Sequence, residues 1–407
     1  MSLLSARLSV LFAWVGHATM HILTALYLTV VLVLEQTWHM SYDDLIRLWT
    51  IGALLIGLGA PLAGGLGDRW SESRMMVVFF LLTGGGSVAA GLCDGPQALV
   101  IALAVLGLGG SIYHPVGLAW VVRNATNRGK ALGYMGIFGS IGTAVPALIA
   151  GSLSEAINWR AAFLIPGAIS VAFGLALLGC IMAGIVVDPV GDAAPTPQPS
   201  RGDAIRAFVV LSVTMLCGGL IWGVLQVAMP KLYDTRLATL VGDSALGVGG
   251  LVTLVYLFAS GPQLLGGHLA DHFPVKKIYI TCLLVMGPLL ALTAGAAGLP
   301  LLALSVITMS VLNIQIPSEN LLLARYTPSK YRGLAYGAKF VLTFGIGPVA
   351  VQMTAAFYQW TGEFRSLLLV LTGVAALAGL TALLLPAERL APAKGRGVDF
   401  RPVQTDD

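Results

Sequence analysis

His17 and His21 lie four residues apart in a largely apolar run, a spacing that stacks two side chains on one face of a helix. Trp14 and Thr24 continue the same stripe three residues to either side. Two histidines so placed can hold a metal ion, bind an anion when protonated or relay protons; they can also simply hydrogen-bond to a neighbouring helix. A third histidine, His114, follows Ser111 and Tyr113 and directly precedes Pro115. Proline removes a backbone hydrogen bond and kinks a helix, so His114 is a candidate for substrate contact or protonation, or for satisfying carbonyls freed by the kink. The densest polar cluster in the apolar segments is Asn313, Gln315, Pro317, Ser318, Glu319 and Asn320. Ionisable groups at membrane depth mark proton relays and substrate paths by default, which makes Glu319 a candidate proton carrier. The other reading is a salt bridge from Glu319 to Lys339 or Arg325 that staples two helices. Lys339 lies seven residues into its segment from Arg332 and needs a partner, a snorkelling path or an anionic ligand. Trp222 and Gln226 share one helical face, a pairing that helix packing also produces. Metal transport would need more ligands than these, and the twelve methionines form no clustered motif. Neither a metal nor any other cofactor is expected.

These groups must be positioned by membrane-spanning helices. Of 407 residues, 57% are hydrophobic and 10% charged, against about 25% charged in a soluble domain. A soluble fold has no interior large enough to hide that surface. A bilayer core about 30 Å thick needs roughly 20 apolar residues per helix. Such segments fall near 8–34, 47–66, 75–93, 97–122, 130–152 and 160–187, then near 206–230, 245–268, 277–297, 300–324, 333–356 and 365–386. The expected organisation is a six-helix bundle over 1–187, a polar, proline-rich linker over 188–205, a second six-helix bundle over 206–386 and a tail over 387–407. The amino terminus reads as a retained first helix rather than a cleaved signal. Cys93, Cys180, Cys217 and Cys282 lie in or beside apolar segments without metal-ligand spacing and read as small core residues. Trp38, Trp49, Trp159 and Trp360 read as an interfacial belt. There is no nucleic-acid patch, no phosphate-cradling loop and no nucleophile triad, which argues against ATP-driven transport and against an enzyme.

Basic residues set the orientation. Arg47, Arg160, Lys231, Arg236 and Arg365 fall on the side away from the termini and Lys339 falls within a helix, leaving 17 of the 23 with the termini. Both termini are therefore expected in the cytoplasm, and the protein in a plasma (inner) membrane.

The two halves also repeat. Gly64-Gly-Leu-Gly-Asp68 and Gly267-His-Leu-Ala-Asp271 are offset by 203, Arg128-Gly129 and Arg332-Gly333 by 204, and Trp159-Arg160 and Phe364-Arg365 by 205. Pro115 and Arg123 are spaced as Pro317 and Arg325 are. Because six is even, both copies have the same orientation, and a substrate site is expected between the halves near the midplane. In this register Glu319 stands over Gly117, so the carboxylate is not part of the shared scaffold.

The loops ending in Asp68-Arg69 and Asp271-His272 are the residues on which the sequence resembles the major facilitator superfamily, over essentially its whole length. In the first loop Ser71-Glu72-Ser73-Arg74 stands where that pattern has a glycine and paired basic residues. Gly107-Leu-Gly-Gly-Ser-Ile-Tyr-His-Pro115 and Gly16-His17 are similar to segments of fosmidomycin-resistance-like efflux proteins, although Thr19, Met20 and His21 replace an Asn-Asp pair expected nearby. The resemblance implies an all-α membrane fold of twelve transmembrane helices in two parallel-repeat six-helix bundles. It implies alternating access, with helices 1, 4, 7 and 10 lining a central cavity. It also implies a conformational gate in which Asp68, Arg69 and Asp271 meet the helix starts marked by Arg128 and Arg332. An aspartate at such a start gains about 0.3–1 kcal/mol from the helix dipole; the same aspartates can instead cap their own loops.

Together these readings point to a proton-coupled secondary transporter of a small organic molecule, with export favoured by the resemblance. The substrate and proton site would draw on His17, His21, Tyr113, His114, Trp222, Gln226, Asn313, Glu319, Asn320 and Lys339. Most of its ionisable groups are potential cations, which favours an anionic or zwitterionic substrate. The alternatives are an organic-acid importer and a non-transporting sensor or assembly factor. The expected partners are the substrate, protons and the lipid bilayer, and nothing in the sequence demands more than a monomer.

Overall fold

Within hydrocarbon every backbone N–H and C=O must be satisfied inside the protein, and a helix does this within one segment. A computed structural model of the chain describes residues 2–125, 128–188, 200–242, 244–327 and 332–386. It contains twelve helical stretches long and apolar enough to cross a membrane. In the first half these are α1 (Leu3–Trp38), α2 (Tyr42–Arg69), α3 (Glu72–Gly91), α4 (Pro96–Asn124), α5 (Ala131–Ala156) and α6 (Ala161–Met182). In the second half they are α7 (Arg201–Arg236), α8 (Ala245–His272), α9 (Val275–Gly295), α10 (Gly298–Tyr326), α11 (Gly337–Thr361) and α12 (Arg365–Leu383). Each helix crosses in the opposite sense to its predecessor. The near end is where α1 begins and α6 and α12 finish; the far end lies opposite.

Several helices outrun their apolar windows because capping and charged first turns extend them. α7 starts at Arg201, where the Ser200 side chain accepts from the Asp203 N–H. Ser2, Ser71 and Ser244 cap α1, α3 and α8 in the same way. Prolines interrupt some helices and not others. α5 breaks at Val145 before Pro146, and α8 at Gly261 before Pro262. Pro317 is carried inside an unbroken α10, whereas around Pro115 the chain winds as a π-helix over Tyr113–Gly117.

The halves repeat their packing. In the first, α1 packs on α5, α2 on α4 and α3 on α6; in the second, α7 packs on α11, α8 on α10 and α9 on α12. They join through α2 with α11 and α5 with α8. Glycines bring these backbones together: a Cβ on Gly151 of α5 would sit 2.5 Å from the Ala245 carbonyl oxygen of α8. Of the α5 glycines, Gly139 and Gly142 press on α1, while Gly136 faces open space.

The largest apolar core spans both halves, from Leu23 and Tyr27 to Ile221 and Phe364, and lies toward the far end. The two other cores, around Tyr113 and Trp120 and around Tyr279 and Leu322, each belong to one half. Trp49 and Trp159 are buried in the far-end core rather than forming a belt, whereas Trp360 is exposed. Polar links between the halves gather at the same end. Lys231 of α7 pairs with Glu35 of α1 at 2.7 Å and with Asp234 at 3.0 Å. Arg47 of α2 donates to Gln352 and Gln359 of α11. Glu155 of α5 accepts from Ser244 and the Leu246 N–H at the start of α8. The halves are thus fastened at the far end.

Candidate functional site

The polar groups inside the helices fall into two clusters that meet where the halves face each other. The first is built on α1 and α4. His17 and His21 do share a face of α1, their rings 5.0 Å apart. His17 Nδ1 lies 2.8 Å from the Met135 carbonyl oxygen of α5. A carbonyl can only accept, so Nδ1 carries the proton that this bond uses. His21 Nε2 stands 3.3 Å from that nitrogen. Close approach is possible because Gly139 leaves room: a Cβ there would fall on the His17 ring. The Trp14 indole, on the same stripe, donates to the Ala131 carbonyl at 2.9 Å.

The π-helix adds Tyr113 and His114. Widening the helix by one residue re-aims side chains, a recurrent device at functional positions. Tyr113 is fully buried, donates to the Ala13 carbonyl at 2.7 Å and stacks on His17 with centroids 5.0 Å apart. His114 comes within 5.4 Å of the His17 ring and 5.5 Å of the His21 ring, centroid to centroid. Among the described residues its buried Nε2 has no hydrogen-bond partner. The His114 ring also stacks against Phe340 and Phe344 of α11, at 5.0 and 4.9 Å. This is the contact through which the histidines touch the other half.

The second cluster is in α7, α9, α10 and α11. Glu319 and Lys339 form a salt bridge at 2.7 Å, each side chain only 10% exposed. Lys339 Nζ also donates to Asn320 Oδ1 at 2.6 Å. The Tyr279 hydroxyl lies 3.0 Å from the other Glu319 oxygen and 2.8 Å from Thr214 Oγ1. Lys339 immediately precedes Phe340, so the ion pair and the histidine cluster are adjacent through α11.

Other expected residues stand apart. Asn313 is buried and donates to the Ala259 carbonyl of α8 at 2.9 Å, a link within the second half. Trp222 packs edge-on against Tyr256 of α8 at 6.1 Å, and Gln226 is half-buried on α7. Among the described residues, no hydrogen bond joins either of these to the two clusters. An apolar void lined by Leu225, Met229, Thr293, Met309 and Phe364 lies in the far-end core and contains no titratable group.

At the near end, Asp68 pairs with Arg123 at 3.3 Å within its own half, and Arg123 also reaches Glu72 at 3.3 Å. Arg69 and Asp271 are exposed. The side chains of Arg128 and Arg332 lie outside the described residues, as do residues 189–199 of the linker and the tail from 387. The unusual Ser71-Glu72-Ser73 has a visible task. Ser71 Oγ donates to Asp188 at 2.6 Å, and Trp120 Nε1 donates to the same carboxylate at 3.1 Å, tying the start of the linker to α3 and α4.

Sequence reasoning missed Phe340, Phe344 and Tyr279, which look like ordinary apolar and aromatic membrane residues. Lys231, counted among the charges on the side away from the termini, lies buried inside α7.

The family model of the Major Facilitator Superfamily matches residues 13–262 and 207–404. The tetracenomycin C resistance and export protein of Streptomyces glaucescens is 29% identical over 222 residues, which make up 53% of this chain and 38% of that protein. The puromycin resistance protein pur8 of Streptomyces alboniger is 30% identical over 189 residues, 45% of this chain and 34% of that protein. These matches therefore span little more than a third of those relatives' length. A solved peptide transporter, POT, in complex with sulfate superposes with a TM-score of 0.74 over 92% of this chain and 93% of its own. Its sequence identity is 14%, and the likeness is one of fold.

Proposed function

This chain belongs to the Major Facilitator Superfamily, and from that premise we propose that it is a proton-coupled secondary transporter exporting a small zwitterionic organic molecule. Its site would be exposed alternately at the two ends, with the near end in the cytoplasm of a plasma (inner) membrane. The observation that carries the reading is the buried Glu319–Lys339 pair beside three imidazoles at the meeting face of the halves. Buried charges at membrane depth are costly and are retained where they serve a substrate or ion path.

The pair also suggests how coupling would work. A zwitterion inserted between the partners would set its anionic group on Lys339 and its cationic group on Glu319. A proton on Glu319 competes with that cationic group, and competition for one site is what exchange of substrate for protons requires. A fastened far end supports the alternating part of the reading, since ion pairs such as Lys231–Glu35 must part for that end to open. Asp68 and Asp271 would help close the near end.

A second reading, an importer of organic acids, draws on the same contact. A purely anionic substrate can take Lys339 only if Glu319 is neutralised, so anion and proton would bind together and travel together. The direction of proton movement separates the two. Proteoliposomes of the purified protein, loaded with a pH indicator and offered amino-acid-like zwitterions, organic acids and cationic drugs, should show protons moving opposite to a zwitterion. Protons accompanying an organic acid would support the importer. Transport indifferent to a pH gradient would overturn proton coupling, and flux with cationic drugs alone would overturn the substrate class.

A further inference from the structure

The two histidines of helix 1 leave a metal ion short of ligands, and the sequence gives no sign of further ones near them. The fold supplies a third. One nitrogen each from His17, His21 and His114 lies within 4.8 Å of the others. Two nitrogens bound to zinc at tetrahedral angles, each at about 2.0–2.1 Å, stand about 3.3 Å apart. His17 Nε2 and His21 Nε2 are 3.3 Å apart, where they share a hydrogen bond that a bound ion would replace. The hydrogen bond of His17 Nδ1 to the Met135 carbonyl is what metal-bound histidines use to fix tautomer and ring orientation. The buried, unpartnered Nε2 of His114 supplies an independent sign. Leaving such a group unsatisfied is costly, and a ligand at the cluster would recover that cost.

We propose that His17, His21 and His114 form a three-nitrogen site for a borderline divalent cation of the zinc class, whose fourth position is open to an anionic oxygen donor. Imidazole suits zinc, copper and nickel, whereas calcium and magnesium demand oxygen ligands. Among the described residues, no carboxylate belongs to the cluster: Glu319 is held by Lys339 and Tyr279. The bound ion would therefore keep its positive charge unless an anion joined it. The fourth ligand is thus an oxygen anion such as hydroxide or the carboxylate of a chelating molecule. The His114 ring stacks on Phe340 and Phe344, which links occupancy of the site to the face between the halves.

The test is direct binding, so it does not depend on transport. Full-length protein in lipid nanodiscs is titrated with Co2+ and Zn2+ against a chromophoric chelator, in a His268→Ala/His272→Ala background. Those two exposed histidines, with rings 4.2 Å apart, are the obvious adventitious competitor. One ion per chain is expected, with the visible bands of four-coordinate cobalt and three nitrogen neighbours by X-ray absorption. His17→Ala, His21→Ala and His114→Ala should each weaken binding at least roughly 10-fold, the scale on which even supporting residues act. His114→Phe keeps an aromatic ring against Phe340 and Phe344 and guards against loss of fold as the cause. No stoichiometric ion, six-coordinate cobalt spectra, or binding that survives all three substitutions would overturn the site while leaving the transport proposal standing.

Discussion

Replacing Glu319 with glutamine leaves Lys339 charged inside the bundle without its counter-ion. At an effective dielectric of about 20, two charges 2.7 Å apart attract by about 6 kcal/mol. Each ion has surrendered several kcal/mol of hydration to be there, so the intact pair contributes little net stability. Removing one partner exposes the full penalty on the other, about 3–5 kcal/mol. The Asn320 contact, at 2.6 Å, remains to solvate Lys339 and places the loss toward the lower end. Adding Lys339→Met removes the stranded charge and should recover most of that stability. Thermal unfolding of the purified variants at one scan rate would show Glu319→Gln well below the parent and the double variant close to it. Proton flux then separates carrier from staple: the double variant should be stable yet move no protons with substrate. If the double variant transports as the parent does, the pair only fastens α10 to α11. If Glu319→Gln costs no stability, the geometry of a dry, close pair is itself wrong.

The far-end fastening should behave as a latch. Lys231→Met removes charged hydrogen bonds to Glu35 and Asp234, each worth about 1.5–3 kcal/mol. Thiol labelling at a cysteine introduced at Ala228, which is buried in the far-end core, should rise at least several-fold; unchanged labelling would refute a latch. Gly151→Ala places a Cβ 2.5 Å from the Ala245 carbonyl oxygen and should prise α5 from α8, raising the same labelling. Gly133→Ala, with nothing within 4 Å of its Cβ, should leave it unchanged.

Much of this architecture was legible because the bilayer leaves few choices. Twelve apolar windows and a repeat offset of 203–205 lead directly to twelve helices paired alike in the two halves. Helix ends were not legible at the same level: residues 201–205, read as part of the linker, are helical and capped by Ser200. At the site, the i,i+4 spacing of His17 and His21 and the proline after His114 marked the right residues but not their meeting. That meeting depends on Gly139, which accommodates the His17 ring, and on the π-helix at Tyr113–Gly117. Both are tertiary features with no periodicity of their own. Asn313 shows the opposite case. Its polar type suggested a ligand, but its amide answers a backbone carbonyl of α8.

The repeat also shows how the two halves divide the chemistry. At an offset of 204 Lys339 corresponds to Met135, and Glu319 aligns with Gly117 through the paired prolines. The first half therefore meets α5 through a backbone carbonyl that orients His17, where the second half carries a full charge on α11. Rearranging imidazoles against a backbone carbonyl breaks no ion pair. Separating Glu319 from Lys339 does, and it needs a proton or a charged ligand to offset the cost. A proton-dependent step is thus better placed in the second half, with the first half supplying recognition. Communication between them has a short physical route: Lys339 and Phe340 are neighbours on α11, and Phe340 with Phe344 grips His114. A shift of Lys339 on losing its partner moves the same helix that holds the His114 ring. Proton uptake and the geometry of the histidine cluster would then be linked through a packed element rather than through distance alone.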